Sequence, residues 1–319
     1  MGRILGAHPS IFTFHELHFF EQLWSSHERN SVLDTNKAEM LIARLLCIHR
    51  EGYLTQGKPK FFLNEAKAII ANSDEENIES SIKVFDSFLR YETKKEGKTI
   101  PCEHTPLNVF YIGEILDLYS EARIINMIRD PRDVLLSQKR KWKRRFLGAK
   151  SIPLKEACRS WINYHPITIS KFWNAAVNAA DKYSENEHVF SLRFEDLIKD
   201  PDVYVHKICE FLGLSFNESM LNVPQVGSSS GFDNPEKKGI NSEKTGNWRK
   251  GGLNLTEIYL CQKITRFLMD RYCYTSVNVK LNYIKLIYYM LSLPIKLLMA
   301  FMLNIKRMKN IKETIKKRL

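Results

Sequence analysis

The run Arg123-Ile124-Ile125-Asn126-Met127-Ile128 stops abruptly at Arg129-Asp130-Pro131-Arg132-Asp133-Val134, and no other stretch of the chain restricts the fold as tightly. Apolar β-branched residues give a short buried strand. The Asp-Pro step ends it, because proline brings no N–H to the strand ladder. Pro131 suits the first position of a new helix, where its missing N–H is no loss, and Asp130 is placed to cap that helix. A strand running directly into a helix is the unit from which α/β folds with parallel strands are made. Arg129 therefore sits at a junction whose backbone N–H groups favour anions. Ser137 follows about two helical turns later and can add a hydroxyl on the same side. A guanidinium fork suits phosphate. The alternative is a surface arginine paired with Asp130 or Asp133.

The same grammar recurs further on. Val189-Phe190-Ser191-Leu192-Arg193 reads as a second strand, followed by Phe194-Glu195-Asp196-Leu197 and Asp200-Pro201 at a helix start. That helix ends in Ile208-Cys209-Glu210-Phe211-Leu212 with Gly213 as its stop. Amphipathic spacing predicts helices over Lys37–Arg50 and Glu75–Arg90. A short strand or loop at Thr99–Pro106 feeds a helix at about 107–119, and Lys155–Tyr183 reads as a long helix interrupted near Pro166. Residues 222–252, rich in Gly, Ser, Asn and Pro, form a long loop, the kind that carries function in a compact domain. It includes Glu243-Lys244-Thr245-Gly246-Asn247-Trp248, with Trp248 as its anchor. Asn254 opens a closing helix to about Tyr272.

The net charge of +12 is uneven. Residues 280–319 carry ten Lys and Arg against the single acid Glu313, so the preceding 279 residues hold only +3. Nucleic-acid binding is a poor explanation of such a distribution. Leu286–Ile295 is apolar, but Lys296 interrupts it before the ~20 residues of a span are reached. From Ile295, a stripe of Leu298, Met299, Met302, Ile305, Met308, Ile311 and Ile315 faces Lys306, Arg307, Lys309, Lys312, Lys316 and Lys317. This pattern fits a helix lying on an anionic membrane surface. A helix packed on the protein, a partner-binding helix or a true span are the alternatives. The six cysteines are scattered without metal spacing, which points to buried reduced thiols. The N-terminal segment carries neither a signal peptide's apolar core nor a myristoylation signal.

In order and spacing, the three segments resemble the PAPS-dependent sulfotransferase superfamily over roughly residues 1–275. Its members carry an R-[DN]-P-[RK]-D-V…S element for the 3′-phosphate of the donor, 3′-phosphoadenosine 5′-phosphosulfate. They also carry an R-[YF]-E-D-L…D-P…FLG-L element and a late G-[DNR]-W loop. The resemblance implies a P-loop-like α/β fold with a central parallel sheet flanked by helices over residues 1–279, and a helical basic and apolar extension over 280–319. It implies that Arg129 and Ser137 bind the 3′-phosphate, helped by Lys244 and the loop that Trp248 anchors. The common cytosolic form of that loop, RKGxxGDW, differs from Asn241-Ser242-Glu243-Lys244-Thr245-Gly246-Asn247-Trp248 by its first Arg-Lys pair. Phe194 stands where many relatives have an adenine-contacting tyrosine.

His8-Pro9 and Glu16-Leu17-His18-Phe19-Phe20-Glu21 resemble the HP…E-x-HFF element of carbohydrate sulfotransferases. There Glu16 would be the base, His18 would orient the acceptor, and Glu21 would support both; a purely structural cluster beside Phe19-Phe20 is the alternative. Glu103-His104-Thr105-Pro106 resembles an E-K-T-P element whose lysine faces the donor sulfate, although histidine is not an always-charged substitute. Nothing in the chain resembles the P-[RK]-S-G-T-[ST] loop that cradles the 5′-phosphosulfate, and Met1 falls in what looks like the helix following it. The expectation is a chain without that first strand and loop.

The activity implied is sulfuryl transfer from PAPS to a hydroxyl of a carbohydrate, glycolipid or similar acceptor, without a metal. A non-catalytic nucleotide-binding or membrane-associated protein on the same fold is the alternative. A kinase relative is disfavoured by the absence of a Walker lysine. The run Lys139–Arg145 suits an acidic acceptor or a membrane surface if it is not merely a solvated face. The expected location is cytoplasmic, peripheral at the inner membrane surface, or a Golgi membrane in a eukaryote.

Overall fold

The computed structural model describes residues 1–29, 31–53, 57–72, 80–225, 234–241, 244–307 and 309–318. Residues 75–79 of the expected second helix, 226–233, 242 and 243 of the long loop, Met308 of the tail stripe and the Lys306 side chain lie outside the described residues. The chain divides into two compact units. One comprises residues 1–111, 217–223 and 307–314, the other 112–216, 224–306 and 315–319.

The first unit contains α1 (Gly2–Gly6), β1 (Ile11–Thr13), α2 (Thr35–Glu51), α3 (Leu63–Ala71), α4 (Ser81–Lys95) and β2 (Ile100–Cys102). Asp34 caps α2 by accepting from Lys37 N, and Ser80 caps α4 by accepting from Lys83 N. Such side-chain oxygens satisfy amides that a helix start leaves without partners. β1 and β2 pair in parallel, Ile11 opposite Ile100. The core is aromatic: Phe14, Leu17, Phe19, Phe20, Trp24, Phe85 and Phe88 are buried. Phe19 stacks face to face on Phe85 at 3.9 Å. These contacts hold in place the segment after β1, which is built from short helical turns at Phe19–Leu23 and Ser26–Glu28.

The second unit contains α5 (Ile112–Leu118), β3 (Ile124–Ile128), α6 (Pro131–Arg140), α7 (Leu154–Asn163), α8 (Pro166–Asp181), β4 (Val189–Arg193), α9 (Phe194–Lys199) and α10 (Pro201–Leu212). It continues with the short antiparallel pair β5 (Pro224–Gln225) and β6 (Asn234–Lys238), then α11 (Leu255–Arg271) and α12 (Tyr283–Asn304). A final helix, α13 (Ile311–Arg318), ends the chain. β3 and β4 are parallel over five rungs, from Ile124 opposite Val189 to Ile128 opposite Arg193. Parallel strands flanked by helices thus occur as one two-stranded pair in each unit. Ile128, Trp173, Val177, Leu268, Met269 and Tyr274 form the core beneath β3.

The expected breaks fall where the local chemistry puts them. Pro131 and Pro166 occupy first helical turns, and Gly213 takes the left-handed conformation, φ 68°, at the end of α10. Asn254 and Glu257 form a reciprocal capping box at the start of α11. The cysteines are all free, but Cys158 and Cys273 are exposed rather than buried.

Candidate active site

In the second unit the site is built outward from the end of β3. Asp130 accepts from Arg132 N at 2.9 Å, and its own N–H donates to Glu195 Oε1 at 3.0 Å. This corrects the expectation of open backbone donors: carboxylates of the chain already occupy the amides beside Arg129. The junction therefore offers an anion arginine side chains rather than these amides.

The two arginines of the Arg129-Asp130-Pro131-Arg132 run are used differently. Arg132 is 1% exposed and fully engaged. It donates twice to Asp130, at 2.9 and 2.7 Å, and to Gln262 Oε1 and the Thr275 carbonyl at 2.9 and 2.8 Å. Its guanidinium also lies 4.1 Å from the Trp248 ring centre. Arg129 instead donates to the Lys244 carbonyl at 2.6 Å and lies 3.7 Å from Asp133, beyond hydrogen-bonding range. Its guanidinium covers the Phe194 ring at 4.5 Å, and its buried Nε has no hydrogen-bond partner. A buried donor without a partner costs free energy unless a ligand completes it.

Arg193, the last residue of β4, is similar: its buried Nε also lacks a hydrogen-bond partner, although Asp196 Oδ2 lies 3.8 Å away and the guanidinium stands over the Tyr274 ring at 4.7 Å. Its place in the Arg193-Phe194-Glu195-Asp196-Leu197 run assigns it no role by itself. The signal available there was its place at the end of a strand register-matched to the strand before Arg129. Ligands of parallel α/β sheets bind beyond the carboxyl ends of the strands, and both arginines stand at that end.

Phe194 and Lys244 thus meet Arg129 directly, Lys244 through its backbone oxygen. Asp133 fastens the late loop, accepting from Gly246 N at 2.8 Å and Trp248 N at 2.9 Å. Burial pushes the Asp133 carboxyl above the ordinary carboxylate range, against the opposing pull of the Trp248 amide and Arg129. Trp248 is buried against Leu136 and Ile258, so it anchors the loop from within. Ser137 lies half-buried on α6.

In the first unit the segment after β1 gathers the candidate base. His18 adopts a left-handed backbone, φ 54°, uncommon for a residue with a side chain. Its Nδ1 meets Glu21 Oε1 at 2.5 Å, and its Nε2 lies 3.5 Å from Glu16 Oε2. Burial alone would lower the His18 pKa, but the two carboxylates outweigh it and raise the value to about 9. His18 is therefore an imidazolium at neutral pH. Glu21 is buried, whereas the Glu16 side chain is 50% exposed and the member of the trio open to solvent.

Two supports were not assigned from sequence. Tyr53 lies against the His18 ring at 4.0 Å. Glu103 accepts from Leu17 N and Thr105 N, both at 3.0 Å, and from the side chains of Thr105 and Asn108. Thr105 Oγ1 in turn accepts from His18 N at 3.0 Å. His104, between Glu103 and Thr105 in sequence, is exposed and makes no hydrogen bond among the described residues. Its ring lies beside Gly2 of α1. No group of His, Cys, Asp and Glu able to hold a metal occurs among the described residues.

A family model described as "Sulfotransferase family" matches residues 1–218. Sulfotransferase 2A2 of Rattus norvegicus is 30% identical over 131 residues, which are 41% of this chain and 44% of that protein. The 3-alpha-hydroxysteroid sulfotransferase of Cavia porcellus is 30% identical over 160 residues, 48% of this chain and 54% of that one. The chain thus spans about half the length of these relatives. A solved sulfotransferase domain from the curacin biosynthetic pathway aligns with 83% of this chain and 90% of its own, at 19% identity and a TM-score of 0.45. Since the family model covers more than half of the residues and includes Glu16, His18, Arg129 and Ser137, the chain belongs to the sulfotransferase family.

Proposed function

We propose that the chain transfers the sulfuryl group of PAPS to a hydroxyl of a carbohydrate, glycolipid or similar acceptor. One observation carries this reading: two arginines at the carboxyl ends of paired parallel strands each keep a buried Nε without a hydrogen-bond partner. A phosphate dianion supplies what both lack, through charge-assisted hydrogen bonds. Arg129 would hold the 3′-phosphate with Ser137, and Arg193 would add a second fork. Phe194 presents an aromatic face to the nucleoside, and Lys244 adds charge from the loop that Asp133 and Trp248 brace. PAPS, when bound, supplies a sulfuryl group on a phosphate leaving group.

Glu16 is the candidate base, taking the acceptor hydroxyl's proton onto its solvent-accessible carboxylate. His18, kept cationic by Glu16 and Glu21 together, orients the Glu16 carboxylate. His104 can donate to an anion only through its own protonation or N–H, so its part in the transfer is the lesser one. The Glu16-x-His18-Phe19-Phe20 cluster supports a carbohydrate or glycolipid acceptor, and the hydroxysteroid relative supports a steroid-like hydroxyl as the second class. The basic, apolar tail supports an anionic membrane surface as a further partner, with a cytoplasmic peripheral or Golgi location.

The test joins calorimetry with 3′-phosphoadenosine 5′-phosphate to a transfer assay over an acceptor panel. The nucleotide should bind at least ~30-fold more tightly than adenosine 5′-phosphate, and Arg129→Ala should abolish that preference. Glu16→Gln should leave binding intact and cut kcat by about 100-fold or more. Equal binding of the two nucleotides would sink the phosphate assignment. Intact binding without transfer to any acceptor would favour the non-catalytic alternative.

A further inference from the structure

The helix α12 is amphipathic in the reverse of the usual sense. Ile284, Tyr288, Leu291, Ile295, Leu298 and Met302 recur at alternating spacings of four and three, which places them on one helix face. They are exposed, from 61% at Leu298 to 81% at Ile284. The opposite face meets α7 and α8 of the same unit through polar groups. His165 Nε2 donates to the Tyr289 carbonyl at 3.1 Å, and Asn254 Nδ2 donates to the Tyr289 hydroxyl at 2.9 Å. Lys296 Nζ donates to the Trp161 carbonyl at 3.2 Å and sits 4.0 Å from the Trp161 ring centre. Asn304 donates to Asn163 at 3.0 Å. The lysine that breaks the apolar run in sequence is thus turned inward, and burial lowers its pKa.

An apolar face of this size on a soluble protein needs an occupant. Charge names one. No acidic residue stands between Asp270 and Glu313, while Lys280, Lys285, Arg307, Lys309 and Lys312 flank or lie along the helix. The neighbouring α7 exposes Trp161 and Leu154. Packed on α7 is the turn of Lys141–Leu147, which carries Trp142, Phe146 and four further cations. Exposed Trp161 and Phe146, with lysines and arginines close by in sequence, match the headgroup region of an anionic bilayer. A second protein surface would call for acidic complements or a drier rim.

By length and composition α12 could cross a membrane. Its polar fastenings, spread from Tyr289 to Asn304, instead tie it to α7 and to the starts of α8 and α11. We infer that α12 lies in the plane of an anionic membrane, its outward apolar face sunk among the acyl chains, and anchors the second unit without spanning. This deepens the membrane-surface partner proposed above and is independent of the donor site, so its failure leaves the nucleotide-binding result standing.

The full chain would be floated with vesicles of phosphatidylcholine alone or with phosphatidylserine added. Binding should require phosphatidylserine, and Leu291→Glu with Leu298→Glu should reduce the floated fraction by about tenfold at an unchanged urea midpoint. Lys280→Cys and Lys316→Cys, each in a Cys158→Ser, Cys273→Ser background, should both react with an impermeant maleimide added outside sealed vesicles. Failure to float with either vesicle, or equal flotation of the glutamate variant, would overturn membrane docking. Self-association abolished by the same glutamates, without flotation, would assign the face to a second copy. Labelling at only one of the two cysteines would overturn the in-plane placement.

Discussion

In the first unit, His18 commits both ring nitrogens to carboxylates of its own chain, and Glu103 takes up the nearby amides and side chains. In the second unit, Arg129 and Arg193 hold back a buried donor each, while Arg132, three residues from Arg129, spends every nitrogen internally. Under the proposed roles, the contrast separates two ways of preparing a charged group. A base must be held in a defined orientation before it meets its substrate, so its partners are internal. A group that grips an anion gains most when its hydrogen bonds are left for the ligand.

Substitutions can break this contrast in order of size. Arg132→Ala should cost about 3–5 kcal/mol of stability, because it leaves Asp130 buried without its cation. Urea unfolding measures it, and a loss below ~1 kcal/mol would mean that Arg132 is not the structural member of the pair.

The His18 trio comes next. Its raised pKa means that the ion pairs' stabilisation is fully present below about 6.5, the unfolded value, and is lost as the pH rises through about 9. The stability gap between the parent and His18→Gln should therefore be on the order of 2 kcal/mol at pH 6 and narrow towards pH 10. Glu21→Gln should bring the His18 titration down by about one unit or more, read by NMR of the imidazole. A titration left near 9 would shift the holding role to Glu16.

The smallest effect is at Phe194. Replacing its ring by leucine removes the surface under Arg129 and should weaken binding of 3′-phosphoadenosine 5′-phosphate only a few-fold, about 0.5–1 kcal/mol.

What could be read from the sequence was local. Asp130 and Pro131 end one element and start another by their own backbone chemistry, and Glu16, His18 and Glu21 lie within six residues of each other. The division of labour between Arg129 and Arg132 was not local. It depends on Gln262 and Thr275, more than 120 residues away, which complete Arg132 and leave Arg129 its spare donor. Glu103 escaped notice for the same reason, since its work is done on Leu17, 86 positions distant. Lys296 read as a break in an apolar run because sequence spacing does not reveal which side of a helix has a neighbour. Trp161 supplies that neighbour.

The five rungs between β3 and β4 act as a ruler. Because Ile128 is matched with Arg193, the two guanidinium forks begin one step apart along the strands, and that offset is set by backbone ladder bonds rather than by loops. Insertions in the surface turn before β4 can lengthen the connection without altering the offset. A slip of one rung would turn Arg193 to the other face of the pair. In the proposed donor site, the spacing of the two forks is thus set by strand register, and variation in the surrounding loops would leave that spacing unchanged.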